Sequence, residues 1–143
     1  MEIKKTHVGA YGIIIVDNKI ALIKKARGGY KGKLDLPGGG IEHMENPTET
    51  LKRELMEEIG VTVDNYSLFD VTATNIKWEM DKDLYEDLHH IGILFEVQIA
   101  EDVLKDDADG LDSEGADWYL ISDLKEDMVS PLTWYSLKKL NLK

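Results

Sequence analysis

The sequence predicts an α/β fold, in which strands and helices mix along one chain. A β-rich segment near the N-terminus is typical of a hairpin, a capped amphipathic helix follows it, and further strands precede a second helix. The 143 residues are enough to bury a hydrophobic core without disulfides or structural metals. We therefore expect a single domain over residues 1–143.

The first predicted element is a hairpin over residues 8–25. Residues 8–16 (VGAYGIIIV) are rich in β-forming side chains, residues 17–18 (DN) are a turn pair, and residues 19–25 (KIALIKK) alternate in polarity. The exit from this hairpin concentrates cations in a protein otherwise short of positive charge. They are Lys24, Lys25, Arg27, Lys31 and Lys33.

These cations have two interpretations. They could bind phosphate oxygens, with Arg27 as the strongest single candidate and Lys25 beside it, or they could belong to a solvated loop. The glycine run from Gly38 to Gly40 comes next and permits a close approach of the backbone to a ligand, although three glycines alone would indicate only a turn.

The central helix has clear start and stop signals. Asn46 is a good N-cap, Pro47 suits the first helical position, and Glu49 is placed to complete a capping box. Gly60 is a typical left-handed C-terminal stop. The sequence therefore predicts a helix from about Pro47 to the residue before Gly60.

Three carboxylates of this helix are predicted to lie near one another. At about 100° per residue, Glu54, Glu57 and Glu58 fall within an arc of about 100°, beside an apolar stripe. Like charges at this spacing repel each other, and a hard cation such as Mg²⁺ or Mn²⁺ would convert the repulsion into coordination. On the helix alone, a solvated acidic face is the competing interpretation.

The second half of the chain predicts strands at residues 66–73 and 91–99. Residues 74–90 show no clean period, so we expect an excursion between the strands. Within it Trp78 is a candidate to stack on a nucleobase, and so is Tyr85, although aromatic residues more often serve packing. The adjacent pair at residues 89–90 would point to opposite faces of a strand, and the other histidines, at residues 7 and 43, are isolated, which gives no metal site.

An acidic segment and two elements complete the chain. Residues 107–110 (DADG) resemble part of a calcium loop, but that register places Lys105 and Ala116 where acids are required, so we reject an EF-hand. Residues 116–121 predict a last strand, and the Ser-Pro pair at residues 130–131 opens a C-terminal helix.

Composition limits the partners. The 28 acidic and 17 basic residues give a formal net charge of −11, which disfavours nucleic acid polymers and anionic membranes but permits a small phosphorylated substrate. There is no cysteine, no signal-like start and no apolar run of membrane-spanning length, so we expect a cytoplasmic protein whose metal, if any, has oxygen ligands. Oligomeric state stays open between monomer and homodimer.

The spacing around the central helix resembles the signature of the Nudix hydrolases. Five residues separate Gly39 from Glu45, seven separate Glu45 from Arg53, and the chain continues as Arg-Glu-Leu-Met-Glu-Glu-Ile-Gly-Val. Residues 39–61 thus match the family's pattern position by position. A small departure is Met44, where many members have glycine.

The resemblance implies a Nudix fold, an α/β/α sandwich with a mixed β-sheet. It also implies hydrolysis of a pyrophosphate bond in a nucleoside diphosphate linked to a second moiety X, such as a nucleoside triphosphate or an ADP-ribose-like compound, usually with Mg²⁺ and with Mn²⁺ as an alternative. A Nudix-fold nucleotide sensor that has lost turnover is the competing function. The chemical identity of X is not indicated.

The resemblance also assigns roles to residues. Glu57 and Glu58 would bind the metal, Glu54 would be a ligand or the general base, and the Gly39 carbonyl would be a further ligand. Glu45 and Arg53 would form a structural brace, and Arg53 could instead reach a phosphate.

One further metal ligand is implied near the last strand. Many family members have a glutamate a few residues before a Trp-containing strand, which joins the metal or activates water. Glu114, four residues before Trp118, is the matching candidate, and Asp112 and Asp117 compete with it.

Overall fold

A computed structural model describes residues 1–105 and 113–143 of the chain. The calcium-loop fragment at residues 107–110 and the candidate Asp112 lie outside these ranges. The described elements, in chain order, are β1 (Glu2–Ile13), β2 (Ile15–Val16), β3 (Lys19–Lys25), β4 (Leu34–Asp35), β5 (Gly38–Gly40), α1 (Pro47–Ile59), β6 (Val63–Asp81), β7 (Leu84–Ile99), β8 (Ser113–Leu120) and α2 (Pro131–Lys139), with short 3₁₀ turns at Ile121–Asp123 and Glu126–Met128.

The strands form two sheets. The first has the order β5-β1-β7-β6, in which β1 and β7 are parallel and the other neighbours are antiparallel, so it is a mixed sheet. In the second, β3 pairs with β2, β4 and β8.

Each helix packs against its own hydrophobic core. Successive residues of β3 alternate between the two cores: Ile20 and Leu22 pack in the cluster that contains α2, whereas Ala21 and Ile23 pack in the cluster that contains α1. Because side chains alternate across a strand, the two helices cover opposite faces of the strands. The predicted α/β/α sandwich is confirmed.

The N-terminal hairpin is shorter than predicted. Asp17 and Asn18 both have left-handed backbone angles (φ 52° and 65°), as a two-residue hairpin turn requires, and they join β2 to β3. Residues 2–13, however, form a separate strand that pairs in parallel with β7. The prediction of one hairpin strand over residues 8–16 is therefore wrong, because local sequence does not show which distant strand an apolar run will join.

The predicted excursion at residues 74–90 is also wrong. β6 and β7 run through this segment as a continuous antiparallel hairpin that turns at Lys82 and Asp83. Side chains 72, 74, 76 and 78 are half-buried, while the residues between them are exposed. The alternation is real, but hydrophobicity alone conceals it because the half-buried face contains polar as well as apolar residues.

The helix ends agree with prediction. The Asn46 side chain accepts a hydrogen bond from the backbone N–H of Thr48, Glu49 completes the capping box, and Gly60 adopts a left-handed conformation (φ 72°). Ser130 caps α2 through the N–H of Thr133. No helix within residues 1–105 or 113–143 is both long and apolar enough to cross a membrane.

Candidate active site

The candidate active site is a cleft of about 470 Å³. Its walls are the glycine strand β5, the loop after β3, and one face of the β1–β7–β6 part of the mixed sheet. Five residues predicted for the site from the sequence line this cleft: Lys25, Arg27, Gly39, Glu54 and Trp78. The fold thus brings together residues that are up to 53 positions apart in the chain.

The Glu54 side chain of helix α1 lies against Gly39 of the glycine strand. A Cβ atom added to Gly39 would lie 2.6 Å from the carboxylate carbon and one carboxylate oxygen of Glu54. The missing side chain of Gly39 therefore makes the space that the Glu54 carboxylate occupies. This contact places a carboxylate in the lining of the cleft.

Arg53 connects the loop before α1 to the carboxylates on the helix. Its Nε and Nη2 atoms donate to the two carboxylate oxygens of Glu45 at 2.8 and 3.0 Å. Its Nη1 donates to Glu54 at 2.9 Å and to Glu57 at 3.2 Å. Hydrogen bonds from Arg53 and then from Thr50 lower the pKa of Glu45 to about 2.

The three carboxylates of α1 have different surroundings, and they do not form the uniformly solvated acidic face of the competing interpretation. The Glu57 side chain is 60% exposed, whereas Glu58 is 5% exposed and accepts a hydrogen bond from the backbone N–H of Gly38 at 2.9 Å. Burial raises the pKa of Glu58 to about 8. In the described part of the chain, no group of three or more carboxylate or imidazole side chains is arranged to hold a metal ion.

The donor atoms nevertheless fit a hard divalent cation. Glu54, Glu57 and Glu58 offer only oxygen atoms, which Mg²⁺ and Mn²⁺ prefer, and the Gly39 backbone is unscreened by a side chain where it meets Glu54. Two of the three carboxylates already share one cationic partner, the Nη1 atom of Arg53. A metal role for these residues therefore stays a prediction that the chemistry of the site supports.

The predicted ligand near the last strand is placed elsewhere. Glu114 is exposed, lies 3.8 Å from the Nζ atom of Lys24, and is not among the residues that line the cleft. Asp117 is also exposed, and its carboxylate accepts from the N–H of Trp118. A metal role for Glu114 remains a prediction without geometric support.

Sequence reasoning missed a cluster of buried aromatic and imidazole side chains in the cleft. His90 contacts two tyrosine hydroxyls, Tyr11 at 2.6 Å and Tyr30 at 3.0 Å, and its ring lies 5.3 Å from that of His7. Burial lowers the pKa of His90 to about 4, so its ring is neutral near pH 7. The two histidines are register partners on β1 and β7, a pairing that no local pattern indicates.

The two aromatic candidates for stacking lie on opposite faces of the β6–β7 hairpin. Trp78 lines the cleft, whereas Tyr85 is a register partner of Glu79 on β6, which is exposed. Residues directly opposite each other in a sheet share a face, so Tyr85 lies on the face opposite to that of Trp78. Of these two candidates, only Trp78 is placed to contact a ligand in this cleft.

Comparison with known proteins matches this arrangement to one family. The family model described as NUDIX domain matches residues 5–140. An 8-oxo-dGTP diphosphatase of Escherichia coli (strain K12) is 37% identical over 68 residues, which is 47% of this chain and 53% of that protein. An ADP-ribose pyrophosphatase of Methanocaldococcus jannaschii is 42% identical over 67 residues, which is 47% of this chain and 40% of that protein. The chain thus spans about half the length of the curated relatives it matches, or less.

Solved structures give the same match at the level of the fold. A MutT NUDIX hydrolase from Burkholderia pseudomallei superposes with a TM-score of 0.65 at 22% identity, covering 95% of this chain and 98% of that one. A NUDIX hydrolase from Nitrosomonas europaea superposes with a TM-score of 0.67 at 22% identity, covering 96% of this chain and 89% of that one.

Proposed function

Because this chain belongs to the NUDIX domain family, we propose that it hydrolyses a phosphoanhydride bond in a nucleoside diphosphate linked to a second moiety X. The observation that carries the proposal is the contact between Glu54 and Gly39 in a cleft that Lys25 and Arg27 also line. A carboxylate and two cations then face the same volume. The carboxylate can accept a proton from water, and the two cations can bind phosphate oxygens.

Charged side chains in the cleft are suited to a pyrophosphate substrate. Pyrophosphates resist hydrolysis mainly because their anionic oxygens repel a nucleophile, and Lys25 and Arg27 would offset part of that charge. Arg53 holds Glu54 through a 2.9 Å hydrogen bond and so fixes its carboxylate beside Gly39. We assign Glu54 as the proton acceptor because it alone of the three α1 carboxylates lines the cleft.

In the proposed reaction, a water oxygen forms a bond to phosphorus and the bridging P–O bond breaks. The water proton passes to Glu54, and the bridging oxygen leaves with the other phosphoryl group. With Glu54 as the base, Glu57, Glu58 and the Gly39 carbonyl would hold Mg²⁺ or Mn²⁺, and the bound ion would neutralise phosphate charge and lower the pKa of water. Arg53 keeps the helix and the preceding loop in register throughout, through its two-point contact with Glu45.

Two names among the relatives suggest where to look for the substrate. One relative is named for 8-oxo-dGTP and the other for ADP-ribose, so small nucleotide pyrophosphates are the first class to test. The proposed partner is therefore a small molecule, with X left open.

The test is a mass-spectrometric screen of about fifty pyrophosphates with Mg²⁺ or Mn²⁺ in ¹⁸O-labelled water. We expect a nucleoside monophosphate and phosphorylated X, with one product carrying a single ¹⁸O atom. The matched control is Glu54→Gln, which should remove product formation while the protein stays folded. Nucleotide binding without any product would support the turnover-deficient sensor instead.

A further inference from the structure

Trp78 and Glu86 form a hydrogen-bonded pair in the lining of the cleft. They are register partners on β6 and β7, so their side chains share one face of the hairpin. The indole Nε1–H of Trp78 donates to Glu86 Oε1 at 2.9 Å. Both residues line the cleft.

The Trp78 ring is also held from the side of the loop after β3. A Cβ atom on Gly29 would lie 2.5 Å from Cδ1 of Ile76 and 3.0 Å from Cδ1 of Trp78, so the loop backbone packs directly on these two side chains. Trp78 further lines a neighbouring cavity of about 880 Å³ between the hairpin and α2. The ring therefore packs against the loop backbone while its N–H donates to Glu86.

Glu86 is a buried carboxylate with unused acceptor capacity. Its residue is 7% exposed, and the indole N–H is the one hydrogen bond to its carboxylate among residues 1–105 and 113–143. No described lysine, arginine or histidine forms an ion pair with it. A carboxylate offers about four acceptor positions. No fully buried side-chain oxygen of the described residues lacks a hydrogen-bond partner, so the oxygen of Glu86 that Trp78 does not use is accessible, and the residue lines the cleft.

We propose that Glu86, positioned by Trp78, determines specificity by accepting a hydrogen bond from a neutral N–H or O–H donor on the nucleoside part of the substrate. The inference rests on the proposed function and deepens it, because it names the kind of group that the site selects. The donor is either an N–H of the base or a hydroxyl of the sugar. An anionic group at this position would be repelled by the carboxylate.

The hydrogen bond between Trp78 and Glu86 can be tested by substitution, because glutamine has one acceptor oxygen where glutamate has two. In Glu86→Gln, the single amide oxygen accepts the hydrogen bond from the Trp78 N–H, so the amide N–H₂ group faces the ligand. Two donors then face each other, and the hydrogen bond to the ligand is lost. Trp78→Phe removes the indole N–H but keeps an aromatic ring. In the double variant the amide is free to turn its oxygen to the ligand, so binding should be restored in part.

Affinity is measured by isothermal titration calorimetry with nucleoside diphosphates. The base arm compares ADP with N6,N6-dimethyl-ADP and GDP with N1-methyl-GDP, and the sugar arm compares each ribonucleotide with its 2′-deoxy and 3′-deoxy forms. We expect Glu86→Gln to lower the affinity for the ligand that carries the donor by about tenfold or more. The affinity for the ligand that lacks the donor should not change. The arm in which this difference occurs identifies the donor.

Glu79→Gln is the matched control, because Glu79 lies on the same hairpin but is exposed and opposite Tyr85. An equal loss for ligands with and without the donor, no loss at all, or no rescue in the double variant would overturn the inference. So would failure of the wild-type protein to bind any of these nucleotides. Product release measured in parallel keeps the two proposals distinct: hydrolysis with unaltered selectivity refutes the role of Glu86 alone, and selective binding without hydrolysis refutes the proposed function alone.

Discussion

Arg53 binds Glu45 at two points, with Nε 2.8 Å from one carboxylate oxygen and Nη2 3.0 Å from the other. The same guanidinium reaches Glu54 through Nη1 at 2.9 Å. The planar fork of arginine matches a carboxylate at two points, which lysine cannot do. The pair therefore fixes the position of the loop before α1 relative to the carboxylate in the cleft.

The Glu45 ion pair should make stability depend on pH. The pKa of Glu45 falls from an ordinary 4.5 to about 2, mainly through Arg53, so its contribution is complete above about pH 4.5 and is lost as the pH falls towards 2. Glu45→Gln should therefore lower the melting temperature most near pH 7. We expect the difference from wild type to shrink steadily below pH 4.5 in thermal unfolding followed by circular dichroism. A constant difference from pH 7 to pH 3 would contradict this prediction.

Substitution of Gly39 should separate activity from stability. In Gly39→Ala the new methyl group meets the Glu54 carboxylate, the far end of a flexible side chain that can move aside. We expect kcat to fall by about 100-fold, as for a misplaced reacting group, with little change in melting temperature.

Gly38→Ala provides the contrast on the same strand. Its Cβ would lie 2.2 Å from the backbone oxygen of Ala10, at a φ of 145°. Backbone cannot move aside as a side chain can, so we expect a loss of about 2 kcal/mol or more in the free energy of unfolding. Equal stability of the two variants would show that the two glycines are not distinguished in this way.

Replacing either Glu57 or Glu58, the other two carboxylates of α1, should impair turnover. We expect Glu57→Gln and Glu58→Gln to lower kcat by about 10³-fold or more while the protein stays folded, because each replaces a proposed metal-binding carboxylate with a neutral amide. Glu49→Gln is the control on the same helix, since glutamine also completes a capping box. Wild-type kcat together with unchanged Mn²⁺ affinity in both variants would exclude the platform.

Arg27 should contribute to substrate binding more than to turnover. It lines the same cleft as the glycine strand β5, so Arg27→Ala should raise KM by about tenfold, equivalent to one charge-assisted hydrogen bond, with kcat nearly unchanged. Lys31→Ala is the matched control, because Lys31 belongs to the same basic segment but is exposed and outside the cleft lining. Identical KM values for both variants across the substrate panel would dismiss the role of Arg27.

Sequence alone determined the features that depend on neighbouring residues. The capping box at Asn46 and Glu49, the left-handed stop at Gly60 and the turn at residues 17–18 all formed as predicted, because each is set by hydrogen bonds and backbone angles within a few residues. The spacing from Gly39 to Val61 likewise identified the family.

Only the tertiary structure decided which of these residues share a cleft. The parallel pairing of β1 with β7 brings His7 beside His90, and the long β6–β7 hairpin sets Trp78 opposite Glu86. The same packing buries Glu58 and leaves Glu57 exposed, although the two are adjacent on one helix. Strand pairing and burial depend on contacts between distant parts of the chain, whose energies no local pattern encodes.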